Sequence, residues 1–236
     1  NTIASNTVSS NNYGGIELYY SSNNTIANNT FHLNGMAVFD SYDNKVTNNT
    51  VNGKPLVYLE NVSDYVVEDA GQVIAINSNN ITIKDLNLSY ATVGVEFWNT
   101  SNSKIINNTI TLNSWFGMYL KSSSNNTVTN NTISKNTYGI YLYYSSNNTI
   151  ASNNISSNSY GGIYLYYSSN NIIYLNNFIN NTDQVYSYAS TNIWNSTEPI
   201  TYVYNNSTFT NYLGNYWSDY NGSDANGDGI GDTPTQ

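Results

Sequence analysis

One motif recurs along most of this chain at an interval of about 22 residues. Residues 94–110, 117–133, 139–155 and 162–178 each begin with Gly and continue with alternating apolar and polar residues. Each ends with Asn-Asn and an apolar residue, with a Thr between them in the first two. A fixed period of this length predicts a solenoid and is too short for a repeat of paired helices. The repeat therefore constrains the fold strongly, although it does not identify a ligand.

The side chains within each repeat alternate as in short strands. Ile140 and Leu142 fall on one face of a strand, and Tyr141 and Tyr143 fall on the other. Ser-Ser-Asn-Asn and Asn-Asn segments follow, and these residues tolerate the left-handed conformation of turns. The pattern predicts an all-β fold, a three-stranded parallel β-helix of roughly nine or ten coils and roughly 40–50 Å in length.

Residues 1–200 are predicted to form these coils, and residues 201–236 are predicted to form a carboxy-terminal cap. Stacked coils bring equivalent asparagines into register, so that their amides can bond along the axis. The expected ladders are Asn126, Asn148 and Asn171, and Asn131, Asn154 and Asn177. The first residues resemble the second half of a repeat, which indicates an excised chain and is compatible with head-to-tail assembly or with truncation.

The composition argues against several classes of function. The chain has 15 Asp and Glu against 6 lysines and no arginine, which is the opposite of a nucleic-acid-binding surface. It has no cysteine, the best ligand for soft metals. No segment approaches the roughly 20 apolar residues of a membrane span.

The pattern Gly-Ile-x-Leu-x-x-Ser-x-Asn-Asn-x-Ile-x-x-Asn-x-Ile resembles the repeats of NosD-like right-handed parallel β-helix proteins. The resemblance covers almost the whole chain, including the irregular residues 52–60 and the segment 214–220, and is to surface proteins of archaeal type. It implies a right-handed β-helix in the broader group of carbohydrate-binding and sugar-hydrolase β-helices. NosD is also linked to copper, but His32, Met36 and Met118 are the whole supply of suitable ligands, so we expect no copper.

Candidate catalytic groups are few. A lyase of the pectate type uses an arginine base, and this chain has none. Glycoside hydrolysis needs two carboxylates about 5–9 Å apart, and the best pair is Asp43 with Asp64 if these stack in neighbouring coils. His32 has no catalytic partner at a recognisable spacing. We therefore expect the protein not to be an enzyme.

Outward positions of one sheet are largely aromatic and are predicted to face solvent. Such a stripe is typical of a contact surface, although it can instead stabilise the sheet or stack against glycans. The interface or glycan-stacking candidates are Tyr19, Phe39, Trp98, Tyr119, Tyr141, Tyr143, Tyr164 and Tyr166.

The carboxy-terminal segment 224–232 places oxygen ligands at alternate positions, as in the first part of a calcium loop. The predicted ligands are Asp224, Asn226, Asp228, the carbonyl group of Ile230, and Asp232. Position twelve is Thr235 rather than a bidentate glutamate, which predicts weakened binding or completion by Asp219. The alternative is a flexible acidic linker.

Sequons recur more than a dozen times, either as a by-product of the Asn-Asn-Thr repeat or as true acceptors. Glycosylation candidates are Asn28, Asn61, Asn87, Asn130 and Asn195. We expect a non-catalytic, extracellular or cell-surface structural protein that forms a homo-oligomer or polymer in a surface layer, sheath, filament or adhesin. The alternatives are a carbohydrate-binding module and, third, a polysaccharide-active enzyme.

Overall fold

A computed structural model describes residues 1–233, which form strands and turns without a helix. Most strands pair in parallel with the equivalent strand of the next coil, as Ile110 pairs with Ile133 and Ile133 with Ile155. Equivalent residues are 22 or 23 positions apart along most of the chain. The all-β parallel β-helix is therefore confirmed, and no helix capable of crossing a membrane occurs in the described range.

The coils form two stacks instead of one continuous rod. The first stack comprises residues 1–52, and its three sheets contain β1-β4-β7, β2-β5-β8 and β3-β6. Its strands are β1 (Thr2–Ala4), β2 (Thr7–Ser9), β3 (Ile16–Tyr19), β4 (Thr25–Ala27), β5 (Thr30–His32), β6 (Met36–Phe39), β7 (Lys45–Thr47) and β8 (Thr50–Val51).

The chain leaves the first stack through a hairpin. Strand β8 pairs antiparallel with β9, and the turn between them contains Asn52 and Gly53, both with positive φ. The second stack follows, with β9 (Lys54–Glu60), β10 (Ser63–Val67), β11 (Gln72–Ile76), β12 (Asn79–Lys84), β13 (Val93–Trp98), β14 (Lys104–Ile106), β15 (Thr109–Thr111), β16 (Phe116–Lys121), β17 (Thr127–Thr129), β18 (Thr132–Ser134), β19 (Tyr138–Tyr143), β20 (Thr149–Ala151), β21 (Asn154–Ser156), β22 (Gly161–Tyr166), β23 (Ile172–Tyr174), β24 (Asn177–Ile179) and β25 (Asp183–Tyr188). Strands β2, β5 and β8 of the first stack continue into the second stack through β9 as one ten-stranded sheet. We call its seven strands in the second stack, β9, β11, β13, β16, β19, β22 and β25, the long sheet.

Apolar side chains and asparagines fill the interior of the second stack. The ladder from Asn126 through Asn148 to Asn171 is confirmed, because each side-chain oxygen accepts the backbone N–H of the preceding member at 2.9 Å. The second predicted ladder is wrong by one residue, since Asn131 stacks on Asn153 and not on Asn154. Asn154 and Asn177 are instead exposed strand residues, because the buried amide occupies the turn just before each strand.

The glycine that opens each repeat is required by close packing between coils. A Cβ atom on Gly139 would lie 2.4 Å from the carbonyl oxygen of Gly162 and 2.9 Å from the amide nitrogen of Asn158. Both atoms belong to the next coil, so a side chain here would force the coils apart.

The carboxy-terminal segment departs from the repeat and then returns to it. Strands β26 (Ile200–Tyr204) and β27 (Ser207–Asn211) form an antiparallel hairpin. Strand β28 (Tyr216–Trp217) pairs in parallel with β24 and extends a sheet of the second stack. Residues 221–233 follow β28, and this loop and the hairpin lie next to the last coil.

Candidate functional site

Four strands of the long sheet, β16, β19, β22 and β25, carry an aromatic outer surface. Alternate side chains point outward, and the parallel register aligns them in columns. Turn residues on either side of the strands add further tyrosines. The tyrosine face consists of Tyr138, Tyr141, Tyr143, Tyr144, Tyr160, Tyr164, Tyr166, Tyr167, Tyr186 and Tyr188.

The rings of the tyrosine face stack on one another along the axis. The centroid of Tyr164 lies 5.3 Å from that of Tyr141 and 4.2 Å from that of Tyr186, with interplanar angles of 11° and 15°. Tyr144 and Tyr167 stack at 5.0 Å and 7°. A ring inside such a column has both broad faces covered by its neighbours, so it presents its edge and hydroxyl group to solvent.

Two phenols in the middle of this surface, Tyr141 and Tyr164, have raised pKa values. Burial, reinforced by nearby tyrosines, raises the pKa of Tyr141 to about 12. The pKa of Tyr164 is raised for the same reasons. A neutral phenol both donates and accepts hydrogen bonds. The tyrosine face is therefore a broad surface of aromatic edges and hydroxyl groups without a formal charge.

Three other members of the predicted aromatic stripe are buried. Phe39, Trp98 and Tyr119 are only 8%, 4% and 7% exposed, so the prediction that these three face solvent is wrong, whereas Tyr19 is 48% exposed. The first stack packs against the outer face of the long sheet here, and the ring of Phe39 lies 5.8 Å from that of Tyr119. Side chains that point outward from one sheet become buried because another part of the chain covers them.

Polar side chains of the long sheet also bond to the edge of β6 in the first stack. Gln72 accepts from the N–H of Met36 at 2.9 Å and donates to the carbonyl oxygen of Met36 at 2.5 Å. Both carboxylate oxygens of Glu96 lie 3.2 Å from the N–H of Val38. These contacts satisfy backbone groups that an edge strand would otherwise expose.

Glu96 is a fully buried acid at this junction. Burial raises the pKa of Glu96 to about 8, although the Val38 N–H and the charge of Lys121 act in the opposite direction. Lys121 forms an ion pair with Asp40 of the first stack and lies 5.2 Å from the ring centroid of Trp98. The junction thus combines aromatic packing with a small set of polar contacts.

The proposed carboxylate pair of Asp43 and Asp64 is not formed by stacking. Asp43 lies in a turn of the first stack, where its N–H donates to Glu60 at 2.6 Å. Asp64 belongs to β10 of the second stack and accepts from Asn80 of the next coil at 2.7 Å. The prediction failed because it assumed one continuous stack, in which these residues would be one coil apart. His32 is an exposed residue of β5.

Comparison with protein-family models gives a match over residues 58–222 to NosD, described as periplasmic copper-binding protein. The chain belongs to the NosD family. A second model, for the right-handed β-helix region, matches residues 1–69, and the two together extend over both stacks of this NosD-family chain. The comparison with curated proteins gives no match.

Among solved structures, this NosD-family chain is similar to the periplasmic alginate epimerase AlgG, with 24% identity and a TM-score of 0.44. That similarity covers 66% of this chain and 35% of AlgG. The A-module of the Azotobacter vinelandii mannuronan C-5 epimerase AlgE4 has 19% identity and a TM-score of 0.33, over 81% of this chain and 55% of that one. The chain thus spans only about a third to a half of these proteins, and their activity is a property of those proteins.

The copper implied by the NosD name does not fit the donor groups of this chain. Met36 lies in the core of the first stack and Met118 in that of the second, both fully buried among apolar side chains. His32 is exposed on β5. Residues 1–233 contain no cluster of three or more His, Cys, Asp or Glu side chains that would hold a metal ion. Soft-metal binding needs such donors to converge.

The sequons of this NosD-family chain have a structural origin in the turns. In the Asn-Asn-Thr segments, the first asparagine adopts positive φ, as Asn28 (56°) and Asn130 (56°) do. The second asparagine is buried in a ladder, as Asn29 and Asn131 are. The glycosylation candidates are all exposed, namely Asn28, Asn61, Asn87, Asn130 and Asn195. Their glycosylation remains a prediction.

The predicted calcium loop is a compact turn in which carboxylates bind backbone N–H groups. Asp224 accepts from Gly227 at 2.7 Å and from Gly229 at 2.8 Å. Asp228 accepts from the N–H of Ile230 at 2.8 Å, and Asp232 from that of Ala225 at 2.6 Å. Thr235, the predicted twelfth position, lies outside the described residues. Calcium binding by Asp224, Asn226, Asp228, Ile230 and Asp232 therefore stays a prediction.

The sequence pattern predicted four of the ten residues of the tyrosine face and missed the other six. Tyr144 and Tyr167 have positive φ at the turn after their strands, and they stack on each other. The signal was present, because both lie in the repeated Leu-Tyr-Tyr-Ser-Ser segment. A period-2 pattern assigns only strand residues to a face, so it leaves out a turn residue whose side chain joins the same surface.

Proposed function

We propose that this NosD-family protein is a non-catalytic, extracytoplasmic scaffold whose tyrosine face binds a second copy of the chain. The family's periplasmic description and a composition rich in amides and poor in charged residues support a location outside the cytoplasm. The observation that carries the proposal is the stacking of the tyrosine rings within their columns.

Covered ring faces favour a protein partner over a glycan on this surface. Stacking of a sugar on an aromatic ring requires an open broad face, and the rings of Tyr164 and Tyr166 are covered on both sides by neighbours in their columns. The exposed edges and hydroxyl groups suit a flat protein contact, because tyrosine combines large contact area with few rotatable bonds. Exposed aromatic patches of this kind mark interaction sites.

A second copy is favoured as the partner for two reasons. First, the outer face of the same sheet already forms a protein contact at β11 and β13, where the first stack covers it. The tyrosine face continues that surface over β16 to β25. Second, a phenol is both donor and acceptor, so two tyrosine faces are chemically self-complementary, as a twofold interface requires.

The distribution of charged groups supports a non-catalytic role. Within the tyrosine face all ten side chains are phenols, and Lys121, which pairs with Tyr143 in the sheet register, is held in its ion pair with Asp40. The buried acid Glu96 is fully enclosed and bonded to backbone. These groups have structural partners and are not arranged around an open substrate site.

The test introduces charge into the tyrosine face. Tyr144 and Tyr167 have positive φ, a conformation that aspartate tolerates, so Tyr144→Asp with Tyr167→Asp removes aromatic contact without backbone strain. The control is Tyr90→Asp, which has a φ of 59° and is 47% exposed outside the tyrosine face. Sedimentation velocity over a range of concentrations measures self-association.

We expect the unaltered chain and the control to associate, and the double variant to associate at least tenfold more weakly. An unaltered chain that stays monomeric at several hundred micromolar would contradict the proposal. If the double variant and the control associate equally strongly, the interface does not include the tyrosine face, and the proposal is wrong.

A further inference from the structure

The carboxy-terminal end of the second stack borders a wide cleft. The last coil lies on one side, and the β26–β27 hairpin and the 221–233 loop lie on the other, enclosing about 1490 Å³. Val185 and Trp194, which pack against the core of the stack, are only partly buried and line this space. The cleft exceeds the ~300–1,000 Å³ typical of pockets for small ligands.

Tryptophan provides a flat apolar surface in the cleft. The ring of Trp217 stacks on Phe178 at 4.5 Å and 9°, and β28 is the last strand of its sheet. The ring of Trp194 lies 6.2 Å from that of Trp217 at an interplanar angle of 53°, and both indoles line the cleft. Among the described residues, no ring other than Phe178 stacks parallel on Trp217, so one of its broad faces has no stacked partner. This differs from the interior rings of the tyrosine face, which are covered on both sides.

The polar lining mixes acceptors with donors. Asp183 and Asp219 supply carboxylates, and Gln184 and Asn221 supply amides. Asp183, Asp219 and Asn221 are exposed residues. Among the lining residues there is no lysine. A cleft lined only by carboxylates and aromatic rings would also suit an organic cation. This cleft has amide and hydroxyl donors as well, and such donors do not bind a cation.

We propose that this cleft binds a neutral saccharide. The open face of Trp217 would contact the apolar face of a sugar ring, since indole combines an apolar body with a polar edge. Asp183 and Asp219 would accept charge-assisted hydrogen bonds from sugar hydroxyl groups. The amides of Gln184 and Asn221 would donate to the hydroxyl oxygens. The site lies at the end of the stack and is separate from the surface proposed for self-association.

The site is tested first with an array of neutral oligosaccharides of hexoses and N-acetylhexosamines, and then by calorimetric titration of the strongest binder. Two exposed cleft residues are replaced one at a time, Tyr216→Ala and Asp219→Asn, since Tyr216 is 58% exposed and its loss should leave the fold intact. Trp217→Phe keeps the stacking on Phe178 while reducing the open ring face. Tyr90→Asp, at an exposed position outside both the cleft and the tyrosine face, is the control.

We expect binding of at least one neutral oligosaccharide, weakened at least tenfold by Tyr216→Ala and by Asp219→Asn, and several-fold by Trp217→Phe. Tyr90→Asp should leave this binding unchanged. Absence of binding to every neutral oligosaccharide at millimolar concentration would overturn the proposal, as would binding that the cleft variants do not affect. Titration with choline chloride tests the alternative ligand. If choline binds tightly and displaces the saccharide, or binds where no saccharide does, the cleft is a site for an organic cation and the proposal is wrong.

Discussion

The junction between the two stacks is sealed, whereas the carboxy-terminal end of the second stack borders a cleft. At the junction, side chains of the second stack bond to the edge of β6, and Gln72 and Glu96 are fully buried in the process. At the carboxy-terminal end, β25 is the last strand of the long sheet, and a cleft separates it from the cap. A coil end can therefore be sealed by the protein's own side chains or left open to a ligand.

The asparagine ladders show the same difference. Asn126, Asn148 and Asn171 each bond to the next member within the stack. The ladder stops at Asn192, whose amide nitrogen is buried and has no hydrogen-bond partner within residues 1–233. A buried donor without a partner is destabilising. The carboxy-terminal end is thus the less well satisfied of the two.

The largest expected loss of stability comes from replacing Gln72, the glutamine that seals the junction. Gln72→Ala leaves the N–H and carbonyl groups of Met36 without their partners in a buried site. We expect a loss of about 3–5 kcal/mol in the free energy of unfolding, from unpaired polar groups and a cavity. Urea denaturation measures the loss, and limited proteolysis shows whether the first stack becomes accessible.

A glutamine at the other end is the matched control. Gln184 donates to Ser218 at 3.1 Å and accepts from Asn181 at 2.9 Å, but it is only partly buried at the cleft. Gln184→Ala should lower stability by about 1 kcal/mol or less, because water can replace its partners. Equal losses in the two variants would remove the proposed difference between the sealed and the open end.

The sequence predicts the coils far better than it predicts the junction. Period and alternation identify the inward position of Ile140 and the outward position of Tyr141 because both are local properties of a strand. They also assign Trp98 to the outer face correctly, where it packs into the core of the first stack. What they do not contain is the distant segment that covers that face, since Val38 is 58 residues away from Glu96 along the chain.

Two signals of the junction were nevertheless present in the sequence. Asn52-Gly53 between strand-like segments is typical of a tight hairpin and marks the point where the first stack ends. Gln72 and Glu96 are polar residues at outward positions beside apolar Ile74 and Ile76, which is unusual for a solvent-exposed surface. The indication in the sequence that Trp217 lines a cleft was weaker, because an aromatic residue in a cap is equally expected from packing alone.

The junction should also respond to pH through Glu96, with a smaller effect than that of Gln72→Ala. The pKa of Glu96 is raised to about 8 in the folded protein from 4.5. Its contribution to stability is therefore fully present below pH 4.5 and is lost as the pH rises through 8. At 1.36 kcal/mol per unit, we expect a loss of about 2–4 kcal/mol between pH 5 and pH 9.

Glu96→Gln isolates this effect, because glutamine keeps an acceptor for the Val38 N–H but does not titrate. Unfolding by urea at several pH values, in both proteins, gives the difference in stability. Stability of the unaltered protein relative to Glu96→Gln should fall from pH 5 to pH 9. A difference that does not change with pH would show that Glu96 is not protonated in the folded junction.

The smallest expected effect on global stability belongs to calcium at the open end. Asp224, Asp228 and Asp232 already accept backbone N–H groups, so the loop is ordered by hydrogen bonds, and these carboxylates must turn partly toward a cation to bind it. We therefore expect weak binding, with a dissociation constant on the order of 10⁻⁴–10⁻³ M, as in the weaker calcium sites of extracellular proteins. The loop is joined to the hairpin by Tyr202, whose hydroxyl donates to the carbonyl of Asp228 at 2.8 Å. Calcium should therefore protect the cap locally rather than raise the melting temperature of the stacks. Hydrogen exchange of residues 200–233 with and without calcium measures that protection, and Asp224→Ala should abolish it. Calcium-dependent protection at the junction instead of the cap would contradict this assignment, and so would calorimetric titration that detects no binding at millimolar calcium.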